Sequence, residues 1–301
     1  MKILSKFFVL FISLAFTAPV LAELRVFACE PEWGALTQEL GGDKISIYTA
    51  TTALQDPHRI EAKPSLLARA RSADLLVCTG AELESGWLPV LLRQAGNANI
   101  QPGKPGYFEA AAFVHMLEIP ARLDRAEGDV HPAGNPHIQT DPRNIALAAD
   151  ALAKRLGEID PANAAYYQAR YTNFAQRWKL AMQRWEKESA PLKGVAVAFQ
   201  HKGFPYMTNW LGLREVALLE PKPGVEPSSA HLAQVIAQLQ RQPARMVIRA
   251  AYNDGRASDW LAERAKIPAV ELPFTVGGSP RAKDLFSLFD DTLERLLGAL
   301  K

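Results

Sequence analysis

The chain is poor in cysteine, nearly neutral overall and without a long apolar run, and each shortage removes a class of protein. Cys29 and Cys78 are its only cysteines, and two with no close partner do not make a cysteine-rich zinc site. Lys and Arg number 34 against 32 Asp and Glu, a formal charge of +2, so there is no electrostatic case for nucleic acid or an anionic membrane as partner. No H-E-x-x-H helix of a metalloprotease, no G-x-S-x-G elbow of a hydrolase and no P-loop occurs; Gly277-Gly278-Ser279-Pro280 is too short to cradle a phosphate. Hydrophobic residues at 48% and charged residues at 22% rule out a disordered or fibrous chain.

The N-terminus reads as a secretory signal, residues 1–22. Lys2 and Lys6 precede an apolar stretch over 7–16, and Val20-Leu21-Ala22 offers small residues for cleavage. The stretch is too short for a comfortable membrane span. Removing it takes two lysines and brings the mature charge to zero. No cysteine follows the cut, so lipid attachment there is not expected. The expected product is a soluble protein of the periplasm.

Strand-like and helix-like segments alternate through both halves, which argues for parallel sheets with crossover helices. In the first half strands are predicted over 24–29, 44–49 and 74–78, with helices over 33–40, 64–71 and 88–95. Residues 101–136 have little periodicity and read as loop, polar and acidic over 123–131. Helices follow over 143–156 and from Asp160-Pro161 towards Ser189. In the latter Tyr166, Tyr167, Phe174, Trp178, Leu180 and Trp185 recur at helical spacing, read as core packing rather than a cofactor site. The alternation then resumes to a closing helix over 284–297, with Gly298 just past its end. The expected architecture is α/β with two lobes: an N-terminal lobe over 23–157, a bridging helix over 158–190 and a C-terminal lobe over 191–301. Cys29 and Cys78 end predicted strands. Export permits a disulfide, but the restricted geometry of a bridge between adjacent strands leaves buried free thiols as the expectation.

Three of the six histidines sit where a metal ligand would. His58 lies in Q-D-P-H-R, His137 in G-N-P-H-I-Q-T-D-P and His201 in A-F-Q-H-K-G-F-P-Y. All three fall on loops at element ends, and ligands of open α/β sheets bind beyond the carboxyl ends of strands. A cleft between lobes would gather them, and three imidazoles suit zinc. His115, His131 and His231 have no such setting. Asp56 is either a turn residue or a partner orienting the His58 ring.

These motifs resemble the zinc/manganese solute-binding family of ABC-importer receptors, with the TroA-like fold. Asp56-Pro57-His58 with Pro64-Ser65 is similar to the family's D-P-H and P-S. Ala73-Asp74-Leu75, Thr79-Gly80 through Glu84 and Trp87-Leu88 resemble its A-D-L, N-G, L-E and W-L run. Pro136-His137 with Asp141-Pro142-Arg143-Asn144 resembles the second ligand motif, and Asp160-Pro161 with Tyr166-Tyr167 the helix after it. Gln200-His201-Lys202-Gly203-Phe204 with Leu211-Gly212-Leu213 resembles the third, and Glu226-Pro227-Ser228 the E-P-S before a helix. The match runs through the whole mature chain.

The resemblance implies two α/β lobes bridged by a long helix, metal in the cleft between them, and no enzymatic activity. It implies a periplasmic receptor that captures Zn²⁺ as cargo, through His58, His137 and His201, and hands it to the permease of an ABC importer, acting as a monomer. Mn²⁺ or Fe²⁺ receptors of the same fold, a zinc-dependent hydrolase and a periplasmic metallochaperone are the alternatives. Two departures stand out. The family's fourth ligand is usually an acid near the end of the chain, but the corresponding stretch reads Leu272-Pro273-Phe274-Thr275-Val276-Gly277-Gly278, leaving water, Glu271 or another group. The loop before the second ligand carries only His131 with Asp124, Glu127 and Asp129 where zinc receptors often carry a His-rich stretch, and a solvated loop is the expectation there.

Overall fold

The computed structural model describes residues 23–122, 126 and 128–301. The expected signal segment lies outside them, as do Leu123, Asp124, Arg125 and Glu127. The N-terminal half carries β1 (Leu24–Ala28), α1 (Pro31–Gly41), β2 (Ile45–Thr49), α2 (Pro64–Ser72), β3 (Leu75–Cys78), α3 (Leu88–Ala95) and β4 (Tyr107–Glu109). Its four strands form one parallel sheet in the order β2-β1-β3-β4. Two helices follow, α4 (Pro142–Ile159) and α5 (Ala164–Glu188). The C-terminal half carries β5 (Ala196–Phe199), α6 (Pro205–Leu211), β6 (Arg214–Leu218), α7 (Ser229–Arg241), β7 (Met246–Ala250), α8 (Arg256–Ala265), β8 (Ala269–Leu272) and α9 (Leu285–Gly298). Its sheet is also parallel, in the order β6-β5-β7-β8. The central strands β3 and β5 are buried along their whole length, as expected where helices cover both sheet faces.

The edge strand β4 departs from the expected loop over 101–136. It is three residues long, too short for a period to register, and pairs with β3 through Leu76, Val77 and Cys78. Gly298 is the last residue of α9 rather than the one after it.

The long helix α5 fixes the two halves to each other. Tyr167, Phe174, Trp178 and Trp185 on one stripe are buried, whereas Leu180 faces solvent and was wrongly grouped with them. Trp178 packs edge-on against Trp185, Phe286 and Phe289, the last two on α9. The Trp178 indole N–H donates to the Pro142 carbonyl at 2.8 Å, and that of Trp185 to the Asp290 carboxylate at 2.6 Å. One helix thus grips the start of α4 and the face of α9 through rigid side chains that lose little entropy for the area they bury.

Cys29 and Cys78 form a disulfide, which corrects the expectation of free thiols. Strands β1 and β3 are hydrogen-bonded neighbours with Ala28 opposite Val77, so the next residue of each falls opposite its counterpart. Their Cα atoms are 4.8 Å apart, inside the range a disulfide spans.

Beyond these strand ends lies a pair of buried carboxyl groups. Glu84 accepts from the Thr79 amide at 2.8 Å and from the Gly80 amide at 3.2 Å. Glu30 accepts from the Thr79 hydroxyl at 3.2 Å, while its other oxygen has no donor of its own and faces Glu84. Burial, and then the charge of its partner, raises Glu30 well above the usual carboxylate range, and burial lifts Glu84 to about 7. Trp87, three residues beyond Glu84, donates its indole N–H to the Pro57 carbonyl at 3.1 Å, so the carboxyl pair braces the turn that holds the His58 loop.

Two outcomes are expected. Replacing both cysteines with alanine should lower unfolding stability by roughly 2–4 kcal/mol, since the bridge closes a long loop; an unchanged denaturant midpoint would refute this. Glu84 goes from an unfolded value near 4.5 to about 7, so its ionisation penalty is absent below the first pH and complete above the second. The stability of Glu84→Gln relative to wild type should therefore rise between pH 5 and pH 8, by up to about 3 kcal/mol. Thermal melts of both proteins across that range test it, and a constant gap would contradict it.

Candidate metal centre

His58, His137 and His201 come together in the cleft. One nitrogen from each lies within 4.8 Å of the other two. His58 lies within the loop between β2 and α2, His137 precedes the short 3₁₀ turn Ile138–Thr140 that leads into α4, and His201 follows β5 by two residues. The first two thus come from the chain before α5 and the third from beyond it.

Each ring is aimed by named partners. Asp56 does both things considered for it. Its Oδ1 accepts the His58 backbone N–H at 3.0 Å, closing the turn, and lies 2.7 Å from the ring Nδ1. That leaves His58 Nε2, buried and with no protein partner, pointing into the cleft. His201 repeats the pattern, with Nδ1 2.7 Å from Glu220 Oε2 and Nε2 3.4 Å from His137 Nε2. A carboxylate on Nδ1 fixes the tautomer and turns the Nε2 lone pair outward. His137 is held through its backbone. Its N–H donates to Asn135 Oδ1 at 3.1 Å, and its carbonyl accepts the Thr140 hydroxyl at 2.9 Å. Asn135 also donates to the Lys202 carbonyl at 2.9 Å, tying the His137 loop to the His201 loop.

The rings sit in an apolar wall. Phe274 meets His137 edge-on, with centroids 5.2 Å apart, and meets Phe204 and Tyr252 edge-on as well. Burial, and then the neighbouring imidazoles, hold His137 well below its ordinary value, so its ring is neutral with lone pairs available. Asp56 is held below the usual carboxylate range by its bond to His58, against the opposing effect of burial, which is the largest single influence.

The cleft opens into a cavity of about 390 Å³ lined by His58, His137, His201, His131, Glu118 and Asp129. His131 is the residue that the sequence reading passed over. Its ring centroid is 5.4 Å from that of His58, about the spacing of the three histidines themselves. It lies in an irregular loop without a motif; its place after an acidic run and a few residues before Pro136-His137 is the one available clue. Glu271 does not reach the cleft. Its carboxylate pairs with Arg249 at 3.0 Å on the outer part of β8. Thr275, in the stretch where an acid was sought, donates its hydroxyl to Glu32 Oε2 at 2.5 Å, and burial lifts the Glu32 carboxyl to about 7.

The profile of the family described as "Zinc-uptake complex component A periplasmic" matches residues 26–299. Among curated relatives, the manganese ABC transporter substrate-binding lipoprotein PsaA of Streptococcus anginosus is 21% identical over 283 residues, covering 92% of this chain and 89% of its own. The metal ABC transporter substrate-binding lipoprotein SloC of Streptococcus mutans is 23% identical over 255 residues, covering 84% and 81%. Among solved structures, the crystal structure of ZnuA superposes with a TM-score of 0.77 at 22% identity, covering 93% of this chain and all of that one. The Mn-bound periplasmic metal binding protein of Candidatus Liberibacter asiaticus gives 0.75 at 16%, with the same coverage. These likenesses establish the two-lobed fold, and the family consists of solute-binding proteins of ABC importers, which bind metal ions and work with membrane permease and ATPase components, and not of enzymes. The chain belongs to the family of zinc-uptake complex component A, the metal-binding receptors of ABC importers.

Proposed function

We propose that the mature chain is a periplasmic, monomeric receptor that captures Zn²⁺ in its inter-lobe cleft through His58, His137 and His201 and delivers it to the permease of an ABC importer. The observation that carries this reading is the nitrogen triangle. Two ligands about 2.05 Å from a tetrahedral zinc ion are about 3.3 Å apart. The Nε2 atoms of His137 and His201 stand 3.4 Å apart, close to the spacing a shared ion would give them.

The donor set supports zinc over manganese. The three clustered donors are imidazole nitrogens, whereas manganese favours carboxylate and water oxygen. The carboxylates nearby are otherwise engaged. Asp56 and Glu220 are bonded to the rings, Glu118 lies 3.0 Å from Lys202 and Asp129 is 3.8 Å from Arg59. Two relatives named for manganese or for metal in general make this the point to test. Neutral imidazole is the ligand, so affinity should fall as acid protonates the rings.

The mature protein should bind one equivalent of Zn²⁺ tightly in a chelator competition, and His201→Ala or His58→Ala should weaken it by a hundredfold or more, on the order of 3 kcal/mol. Replacing Asp56 or Glu220 by alanine should weaken it by about 10–100-fold, the usual effect of freeing a ligating imidazole. Mn²⁺ should fail to displace Zn²⁺ even in thousandfold excess. Restoration of metal-limited growth by manganese and not by zinc, in cells that depend on this receptor, would sink the assignment.

A further inference from the structure

We propose that His131 supplies the fourth ligand, so that the captured ion is held by four imidazoles. The inference rests on the three-histidine site proposed above.

Three nitrogens leave one position of a tetrahedral ion to be filled. Glu118 and Asp129 on the cavity wall face Lys202 and Arg59, and the chain near Thr275 presents a hydroxyl already donated to Glu32. His131 lines the same cavity beside His58. Its ring lies beside the backbone of Glu82. Ala81 and Glu82 both adopt left-handed conformations, φ 52° and 65°, which residues with a Cβ seldom hold without support. The Glu84 bonds to Thr79 and Gly80 close that turn, and the turn presents the Glu82 backbone to the His131 ring.

The chain just before His131 meets both lobes. Asp129 donates its N–H to the Pro223 carbonyl at 3.0 Å, and Lys222 reaches the Ala126 carbonyl. Arg59, adjacent to His58, donates to the Gly224 carbonyl at 2.9 Å and approaches the Asp129 carboxylate. Gly224 in turn donates to Glu220 Oε2 at 2.9 Å, the oxygen that meets His201. His131 stands outside the 4.8 Å group of the other three, so ligation takes a short inward swing of its ring.

The test uses the full mature chain loaded with one equivalent of Zn²⁺ or of Co²⁺, a spectroscopic stand-in that accepts the same tetrahedral donors. Zinc X-ray absorption should count four imidazoles in wild type and three in His131→Ala, whose zinc affinity should drop about tenfold or more. The Co²⁺ form of His131→Cys should gain a thiolate-to-cobalt charge-transfer band, which a purely structural role at this position would not produce. Three imidazoles in wild type, an unchanged affinity in His131→Ala, or no such band would overturn the proposal. With tight zinc still lost in His201→Ala, the three-histidine site would stand while the fourth ligand fell. Absence of tight zinc in the wild type would remove both.

Discussion

The arrangement depends on holding three imidazoles close together in an apolar wall with ring nitrogens facing one another. Neither half of the chain can do this alone, because His58 and His137 precede α5 and His201 follows it. Buried nitrogens without partners, such as His58 Nε2 and His137 Nδ1, carry a desolvation penalty of roughly 1–3 kcal/mol each. The fold must supply that energy from elsewhere, and much of it comes from α5. Its four buried aromatics join the start of α4, which follows the His137 turn, to α9, which packs on the second sheet. The same contacts make the cleft a consequence of core packing rather than of loop geometry.

Several polar links then set the cleft to its working width. Asn135 joins the His137 loop to Lys202, Tyr206 donates to the Asn135 carbonyl at 2.8 Å, and Thr275 reaches across to Glu32. Each is a single neutral or shared-proton hydrogen bond, worth about 1 kcal/mol, against an aromatic core worth several times that. The hierarchy has a dynamic consequence. The helix-borne core sets the lobes' mean position, and the weaker polar links at the rim are the ones that give way first when cargo enters or leaves.

Most of this was legible in the sequence because it is written in local signals. The X-Pro steps before His58 and His137, the apolar run before His201 and the alternation of strand and helix periods each place a ligand at an element end. The aromatic spacing of α5 was equally plain, except at Leu180, where the period alone does not say which residues of a wide stripe meet solvent. The misses were long-range. Whether Cys29 meets Cys78 depends on β1 and β3 being neighbours, a property of strand order that no segment carries in itself. His131 was obscure for the same reason. Its position is set by contacts with Glu82, Pro223 and His58 from three separate parts of the chain, and nothing in its own neighbourhood repeats with a period.

The absence of an acid from the stretch Leu272 to Gly278 bears on charge as well as on ligand count. A divalent ion among neutral imidazoles would bring two uncompensated positive charges into a low-dielectric cleft, a heavy penalty. Asp56 and Glu220 supply two negative charges, each one imidazole ring away from the ion's place. For an ion held at the proposed three-histidine site, charge balance would be met by carboxylates that do not touch it. Their oxygens are occupied by ring and backbone N–H groups, and are not free to act as the hard ligands that manganese prefers. Neutralising such an ion from behind its ligands, rather than through them, would let one cleft hold a 2+ charge while offering it nitrogen. That separation of charge from ligation would give a physical basis for a preference among divalent metals of equal charge.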